Sequence, residues 1–305
     1  MADKTSTEID YRSLLKAMPV AQKRRLMALT NYHAAVNLSV HLSLIGLCAY
    51  GQYNSAGVVS ILCLIGQGIG MCFLFCAMHE ASHNTAFRTK WLNQMVTYGA
   101  GLLLFMGPRW FTYFHASHHR YTQDPVHDPE LSAPKPDNLK SYLIYLSGVM
   151  IWWGAAQALI KNAVGPANDA YIPPSGASLI VREARLMLVF YAVVIGGLLY
   201  FAPAILWYFW LLPLLCGQPF LRLFLLAEHT DCPHEADMLV NSRTVYTNRF
   251  VLFLSWHMSY HNAHHSLPAV PFHKLADFHQ AISAHVGNAS DGYSAFHRHL
   301  IGRLR

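Results

Sequence analysis

Apolar residues are gathered into long runs along most of the chain. Six stretches are apolar enough to be considered as membrane spans, and they cover residues 34–50, 55–78, 91–108, 141–160, 186–203 and 204–226. At a rise of 1.5 Å per residue, about 18 to 24 helical residues cover roughly 27–36 Å, which is close to the thickness of the hydrocarbon core of a bilayer. The pattern therefore predicts an all-α protein embedded in a membrane.

Clusters of histidine residues follow three of these runs, namely 55–78, 91–108 and 204–226. If the clusters share one metal site, they must lie on the same side of the membrane, because a full crossing would separate them by about 30 Å. Run 34–50 is therefore expected to form a transmembrane hairpin with 55–78. The last two runs are expected to form a second hairpin.

The two remaining runs, 91–108 and 141–160, are expected not to cross the membrane as simple spans. The first is predicted to be re-entrant or interfacial, and Gly99, Gly101 and Pro108 weaken it as a continuous helix. The second is expected to lie along the membrane interface. The predicted architecture is about four transmembrane helices in two hairpins, with interfacial or re-entrant helices and a histidine-rich cap.

The charge distribution predicts the orientation of the chain in the membrane. Only 12% of the residues are charged and 53% are hydrophobic, whereas soluble domains carry about 25% charged residues. Lysine and arginine residues flank the histidine side, and the turns near 51–54 and 201–204 contain neither. By the positive-inside rule, the histidine face and both termini of this multi-pass protein are expected in the cytoplasm. The net charge of +6 is therefore attributed to membrane anchoring, and no nucleic-acid partner is expected.

No repeat, low-complexity stretch or clear boundary divides the sequence, so residues 1–305 are interpreted as a single membrane-embedded domain. The stretch from Met1 to Asp10 is polar and mixed in charge, which does not fit a secretory signal peptide. The six cysteines lie mostly inside apolar segments and form no C-x-x-C pair, so structural disulfides are not expected.

Histidine is unusually abundant, with 19 residues. Three boxes stand out, namely His79-Glu-Ala-Ser-His83, His115-Ala-Ser-His118-His119 and His261-Asn-Ala-His264-His265. Positions i, i+3 and i+4 share one face of a helix, so each box directs two or three imidazoles the same way. Together the boxes exceed the roughly four to six ligands of one transition-metal ion, so they predict two ions.

The first box also matches the H-E-x-x-H signature of zinc metalloproteases, with Glu80 as the potential general base. An intramembrane zinc protease would be equally apolar, but it needs only one further ligand. The other two boxes would then have no function, so the protease is kept as a remote alternative. A non-catalytic metal-binding or transport protein is a second remote alternative. Transporters place polar ligands near the membrane midplane, whereas these boxes lie at the ends of the apolar segments.

The three boxes, in this order and with these spacings, resemble those of the membrane fatty acid desaturase superfamily, which includes alkane hydroxylases and carotenoid ketolases. The resemblance covers roughly residues 35–280. Flanking residues that sharpen it are His79-Glu-Ala-Ser-His-Asn84, His118-His-Arg-Tyr-Thr122 and Tyr260-His-Asn-Ala-His-His-Ser-Leu-Pro268. The segments Ala227-Glu-His-Thr230 and Asn241-Ser-Arg-Thr244 look closer to the bacterial hydrocarbon-oxygenase-like branch.

This resemblance implies a centre of two Fe2+ ions facing the cytoplasm, often with a ninth histidine between the second and third boxes. His229 fits that role by its position at the end of the last apolar run, and His257 is the runner-up. The expected metal ligands are His79, His83, His115, His118, His119, His229, His261, His264 and His265.

Ligating imidazoles usually donate their second N–H to a carboxylate or a carbonyl group. Candidates for such contacts around the ligands are Glu80, Asp124, Glu228 and His257. Asp128 and Glu130 are also close in sequence to the second box, and they are equally well interpreted as solvated acids.

The resemblance further implies an oxidoreductase that uses O2 to desaturate an unactivated C–H site of a lipid or alkyl chain. Hydroxylation of an alkyl or terpenoid substrate by the same centre is the alternative. The sequence contains no rubredoxin-like cysteine pairs, no haem-attachment motif and no G-x-G-x-x-G loop, so electrons are expected from a separate ferredoxin, rubredoxin or cytochrome with its reductase. Candidates for an aromatic lining of a substrate tunnel are Trp152, Trp153, Trp207, Tyr208 and Trp210, although such rings are more often interfacial.

Overall fold

The computed structural model describes residues 10–304, so the polar N-terminal stretch lies almost entirely outside the described residues. It is 73% helical. Between residues 10 and 304, β-structure is limited to two strands of two residues, β1 (Thr244–Val245) and β2 (Ala289–Ser290), which pair in parallel. The prediction of an all-α protein is confirmed.

The described residues form fifteen α-helices. In chain order they are α1 (Tyr11–Ala17), α2 (Val20–Leu26), α3 (Tyr32–Asn54), α4 (Gly57–Ser82), α5 (Lys90–Leu103), α6 (Pro108–Tyr121), α7 (Leu139–Ser147), α8 (Val149–Val164), α9 (Pro174–Phe201), α10 (Pro203–Leu206), α11 (Leu212–His229), α12 (Arg249–Leu254), α13 (His261–Ser266), α14 (Leu275–Ile282) and α15 (Tyr293–Arg303). A π-helical turn, Trp207–Leu211, joins α10 to α11, and 3-10 turns cover Pro129–Ser132, Met258–Tyr260, Phe272–Lys274 and Ser283–His285.

Among the described residues, four helical segments are long and apolar enough to cross a membrane. They are α3, α4, α9 and the segment Pro203–His229, which comprises α10, the π turn and α11. The four segments come in two consecutive pairs, and each pair is joined by a short turn. Helix α4 packs against both α3 and α11 and therefore occupies the middle of the bundle. The prediction of about four spans is confirmed.

The contact between α4 and α11 depends on two glycines. A Cβ atom on Gly68 would lie 2.0 Å from the carbonyl oxygen of Pro213, and one on Gly217 would lie 2.0 Å from the carbonyl oxygen of Gly68. Only glycine allows two helix backbones to approach so closely, and small residues commonly mediate packing between membrane helices. Because α4 ends in the first histidine box and α11 ends at His229, this crossing fixes the relative position of the two helix ends.

The run 91–108 is not one continuous helix. Helix α5 ends at Leu103, the chain turns through Phe105, whose φ is 60°, and α6 begins at Pro108. Proline suits the first position of a helix because its missing N–H has no partner there in any case. The turn brings α6 and the second histidine box back toward the end of α4, as the re-entrant interpretation requires.

The run 141–160 is also interrupted. Helices α7 and α8 meet at 56° across Gly148, whose φ of 72° lies in the left-handed region. Leu143, Val149 and Trp153 expose large apolar side chains on this pair. The pair is therefore not a straight span, and its exposed apolar surface suits the membrane or its interface.

The C-terminal part of the chain forms a cap over the helix ends. Its core contains the fully buried side chains of Trp256, Met258, Leu275 and Phe278. Strand β1 contacts both α11 and α13, so the cap is attached to the end of the last span. This packing holds the third histidine box against the other two.

Candidate metal centre

Nine histidines within residues 10–304 converge in two groups at the junction of the bundle and the cap. The five-histidine group consists of His79, His83, His115, His119 and His264. The four-histidine group consists of His118, His229, His261 and His265. Within each group, one ligand atom of every residue lies within 4.8 Å of those of all the others. The structure thus brings together all nine of the histidines expected from the sequence.

Helices α4 and α6 contribute five of these side chains. His79 lies in the last turn of α4 and His83 directly follows that helix, and both join the five-histidine group. On α6, His115 and His119 are one turn apart and point to the same group, whereas His118 points to the other group. The 3.6-residue period thus divides one box between two sites.

Helix α13 divides its histidines in the same way. His264 joins the five-histidine group, and His261 and His265 join the four-histidine group. His229 is the last residue of α11 and belongs to the four-histidine group. Because α6 and α13 each reach both groups, the groups are adjacent.

The Nε2 atoms of neighbouring rings are spaced as ligands of a common ion would be. In the five-histidine group, Nε2 of His115 lies 2.9 Å from that of His83 and 3.0 Å from that of His119. In the four-histidine group, Nε2 of His229 lies 3.2 Å from that of His118 and 2.8 Å from that of His261. Nitrogens bound at 2.0–2.1 Å to one ion lie about 3.0 Å apart at right angles and about 3.4 Å apart in a tetrahedron. The donor set therefore fits two transition-metal ions.

Burial keeps most of these imidazoles neutral, which is the form that binds metal. Burial, reinforced by the nearby His118, lowers the pKa of His83 to about 4. Burial and the neighbouring histidines also hold the pKa well below its ordinary value at His115, His119, His261, His264 and His265. His118 differs, because the effect of burial on its pKa is outweighed by Glu130 and Asp128, and the net shift is upward.

Asp128 orients His118. Its carboxylate accepts the Nδ1–H of His118 at 2.9 and 3.1 Å, and both side chains are at most 3% exposed. The same carboxylate accepts the backbone N–H of Gln123 at 2.9 Å and of Glu130 at 3.0 Å. An acceptor on Nδ1 leaves Nε2 free for the metal and fixes the plane of the ring.

The other rings of the four-histidine group have similar contacts. Thr122 donates its hydroxyl to the carbonyl oxygen of His118 at 2.7 Å, so the Oγ1 atom is left to accept Nδ1–H of His265 at 3.1 Å. His229 donates Nδ1–H to the carbonyl oxygen of Asn241 at 3.1 Å. These contacts tie the second box to the cap and to the end of α11.

Glu228 and Arg243 complete the surroundings of this group. Glu228 Oε1 lies 3.3 Å from Nδ1 of His261, as expected for a carboxylate beside a ligand. Arg243 donates Nη1–H to the carbonyl oxygens of Ala227 and Thr230, both at 2.7 Å. Those carbonyls end α11, so the guanidinium of Arg243 fixes the helix terminus that carries His229. Glu228 was expected beside the ligands, whereas nothing in the sequence of the Asn241-Ser-Arg-Thr244 segment assigned this role to Arg243.

Three of the residues that were expected to contact the metal ligands make other contacts. Asp124 accepts from the backbone and ring of the exposed His127 and does not contact the two groups, so Asp128 takes the place predicted for it. Glu80 accepts the backbone N–H of Phe272 at 3.0 Å, which anchors the cap and does not support a general-base role. His257, with a φ of 58°, has its ring 6.0 Å from that of Phe272, outside both histidine groups.

Aromatic rings border the five-histidine group on its membrane side. Phe111 stacks on His115 at 5.3 Å between ring centroids, and Phe75 lies 6.3 Å from His79 and 5.5 Å from Phe111. Farther away, Trp152 and Trp210 flank Phe105 at 5.7 and 5.2 Å. The other aromatic residues considered as tunnel lining are exposed, namely Trp153, Trp207 and Tyr208.

A cavity of about 420 Å³ lies on the other side, next to the four-histidine group. Its lining residues are Gln123, Leu131, Lys135, Pro136, His229, Thr230, Asp231, Cys232, His234, Leu300, Arg303 and Leu304. Lys135 is paired with Glu130 at 3.0 Å, and Arg303 is paired with Asp231. The four-histidine group therefore borders a cavity with charged residues in its lining, whereas aromatic rings cover the five-histidine group.

The family model described as Fatty acid desaturase matches residues 54–297, which include all nine histidines. The chain belongs to the fatty acid desaturase family, a class of membrane oxidoreductases, and its two histidine groups could each hold a metal ion. No curated protein matches the chain.

Proposed function

We propose that this protein is a membrane di-iron oxidoreductase that uses O2 and externally supplied electrons to desaturate an alkyl chain of a lipid. The observation that carries the proposal is the convergence of nine imidazoles into two adjacent groups with metal-ligand spacing, in a chain of the fatty acid desaturase family. Two bound iron ions would supply the O2 chemistry that attacks an unactivated C–H bond.

The protein's own residues would hold, orient and shield that centre. The nine histidines are the proposed iron ligands; Asp128 orients His118 through its Nδ1–H, and Glu228 lies 3.3 Å from Nδ1 of His261. Phe75 and Phe111 cover the five-histidine group with apolar surface, which excludes water from the side where an alkyl chain would approach. The four apolar spans would let a lipid substrate reach this side from the bilayer.

The proposal also includes an orientation and a partner. We place the histidine groups and both termini on the cytoplasmic side, because basic residues flank the histidine side of the runs. Electrons would come from a separate ferredoxin, rubredoxin or cytochrome system, since the sequence contains no electron-carrier motif. Single-cysteine labelling at Asn54, in the turn between α3 and α4, tests the orientation, because intact cells should label it only if that turn faces outward.

Metal analysis and product analysis together test the reaction. The purified protein should hold two iron ions per chain, and cells that express it under an 18O2 atmosphere should produce unsaturated lipid without the label. Labelled alcohol would identify the protein as a hydroxylase with the same centre. His118→Ala, expressed at the same level, is the matched control and should abolish the product. One zinc ion without iron, or full activity of His118→Ala, would contradict the proposal.

A further inference from the structure

The two histidine groups differ in the negative charge around them. Two divalent ions bound by neutral imidazoles alone would keep their full charge in a buried site, which is unfavourable without nearby anions. Among residues 10–304, three carboxylates lie within 4 Å of a ring nitrogen in either group, and they are those of Asp128, Glu130 and Glu228. All three face the four-histidine group.

The three carboxylates contact different atoms of their histidines. Asp128 and Glu228 lie next to Nδ1, the nitrogen that points away from the proposed ion. Glu130 Oε2 instead lies 3.3 Å from Nε2 of His118, and this same nitrogen lies 3.2 Å from Nε2 of His229. Glu130 therefore approaches the inner face of the group, at the distance that separates two ligand atoms of one ion.

The surroundings of Glu130 hold its carboxylate in this position. Lys135 donates to Oε1 at 3.0 Å, which leaves Oε2 directed toward His118. The backbone N–H of Glu130 is bound by the carboxylate of Asp128, which also binds His118, so the short helical turn Pro129–Ser132 is fixed to the second box. The Glu130 side chain is 34% exposed, so its carboxylate lies between the buried His118 and solvent.

We propose that Glu130 is a metal ligand, and that its carboxylate completes the four-histidine group with one oxygen while Lys135 holds the other. The ion in this group would then have four nitrogen donors and one oxygen donor, and the ion in the five-histidine group would have five nitrogen donors. Mixed histidine and carboxylate donors are typical of non-haem iron that keeps a position open. This inference rests on the proposed function only in requiring that two metal ions bind.

The alternative role for Glu130 is a structural ion pair with Lys135, and two variants separate the two roles. Glu130→Gln keeps the shape of the side chain but removes the charged donor. Lys135→Met removes the ion pair and keeps the carboxylate. Glu235→Gln, at an exposed carboxylate, is the matched control.

The measurement is iron per chain after purified protein, loaded with Fe2+ without oxygen, is dialysed against increasing concentrations of a chelator. Glu130→Gln should lose one of its two ions at a chelator concentration on the order of 100-fold lower than the wild type. Lys135→Met keeps the carboxylate but removes the contact that holds it, so it should lose this ion less readily than Glu130→Gln does. Glu235→Gln should retain both ions.

Two results would overturn the assignment. In the first, Glu130→Gln retains both ions as firmly as the wild type does. In the second, Glu130→Gln and Lys135→Met lose iron to the same extent, which would identify the ion pair between the two side chains as the important contact. A wild-type protein that binds no pair of ions would contradict the proposed function as well. That failure is visible before any variant is made, so the two proposals fail in different ways.

Discussion

The hydrogen bond between Asp128 and His118 allows the sharpest test of how the four-histidine group is held. Asp128→Asn is nearly isosteric, but its amide has one acceptor oxygen where the carboxylate has two. The carboxylate accepts from three donors, namely Nδ1 of His118 and the backbone N–H groups of Gln123 and Glu130. In the variant, the amide NH2 group must face at least one of these donors.

The expected loss follows from the burial of this contact. Asp128 and His118 are 2% and 3% exposed, so water cannot replace a lost partner. A hydrogen bond to a charged group contributes about 1.5–3 kcal/mol, and loss of an auxiliary carboxylate typically weakens metal binding about 10–100-fold, or roughly 1.4–2.7 kcal/mol. The two ranges overlap, so we expect Asp128→Asn to weaken metal binding by the four-histidine group about 10–100-fold.

The assay is iron retention against a chelator, with Asp124→Asn as the control. Asp124 is four residues away, is exposed and contacts His127, so its variant should behave as the wild type does. Asp128→Asn should lose one ion about 10–100-fold more readily. In a His118→Ala background, the further effect of Asp128→Asn should nearly vanish. If it persists at full size, Asp128 acts through the two backbone N–H groups and the reasoning is wrong.

Three further perturbations test the fold around the site. Gly217→Val should lower the melting temperature in detergent by the equivalent of about 3 kcal/mol or more, because its side chain would overlap the α4 backbone. The control is Gly197→Val, which should leave the melting temperature unchanged because an added Cβ meets nothing within 4 Å there. Arg243→Met should destabilise the protein by about 2 kcal/mol and release metal, because two buried carbonyls lose their donor. Arg243→Lys should restore only part of the lost stability. Full stability of Arg243→Met would contradict the role of Arg243 at the end of α11. Burial and the neighbouring His33 lower the pKa of His273 from 6.5 to about 4 in the folded protein. As the pH drops from about 6.5 to 4, this histidine is therefore protonated in the unfolded chain before it is protonated in the folded protein, and the stability of the folded protein falls. His273→Phe should show a smaller fall in melting temperature between pH 7 and pH 5, and an unchanged pH dependence would contradict this.

The histidine site was predictable because its pattern is local. The period of the α-helix determines which residues of a box share a face, and the resemblance supplied His229 as the ninth histidine. The separation into groups of five and four was not predicted, since it requires α6 and α13 to lie between two sites. That arrangement depends on the packing of distant helices.

The choice between Asp124 and Asp128 shows where local reasoning ends. Both lie a few residues after the second box, and their positions in the sequence do not distinguish them. The structure does so by a reversal of the chain after Thr122, where Gln123 has a φ of 66°. The reversal turns Asp128 back onto His118 and leaves Asp124 at the surface, bound to His127. Gln123 gives no sign of such a turn, because non-glycine residues rarely adopt a positive φ.

The position of α13 in the chain has a consequence for the maturation of the protein. Its histidines belong to both groups, so neither group is complete before Ser266 has been synthesised and the last span is in place. A nascent chain that carries only the first two boxes has ligands from α4 and α6 alone and cannot form the four-histidine group. The two groups are therefore complete only when the membrane bundle and its cap have assembled, because a partly inserted chain lacks His229, His261, His264 and His265.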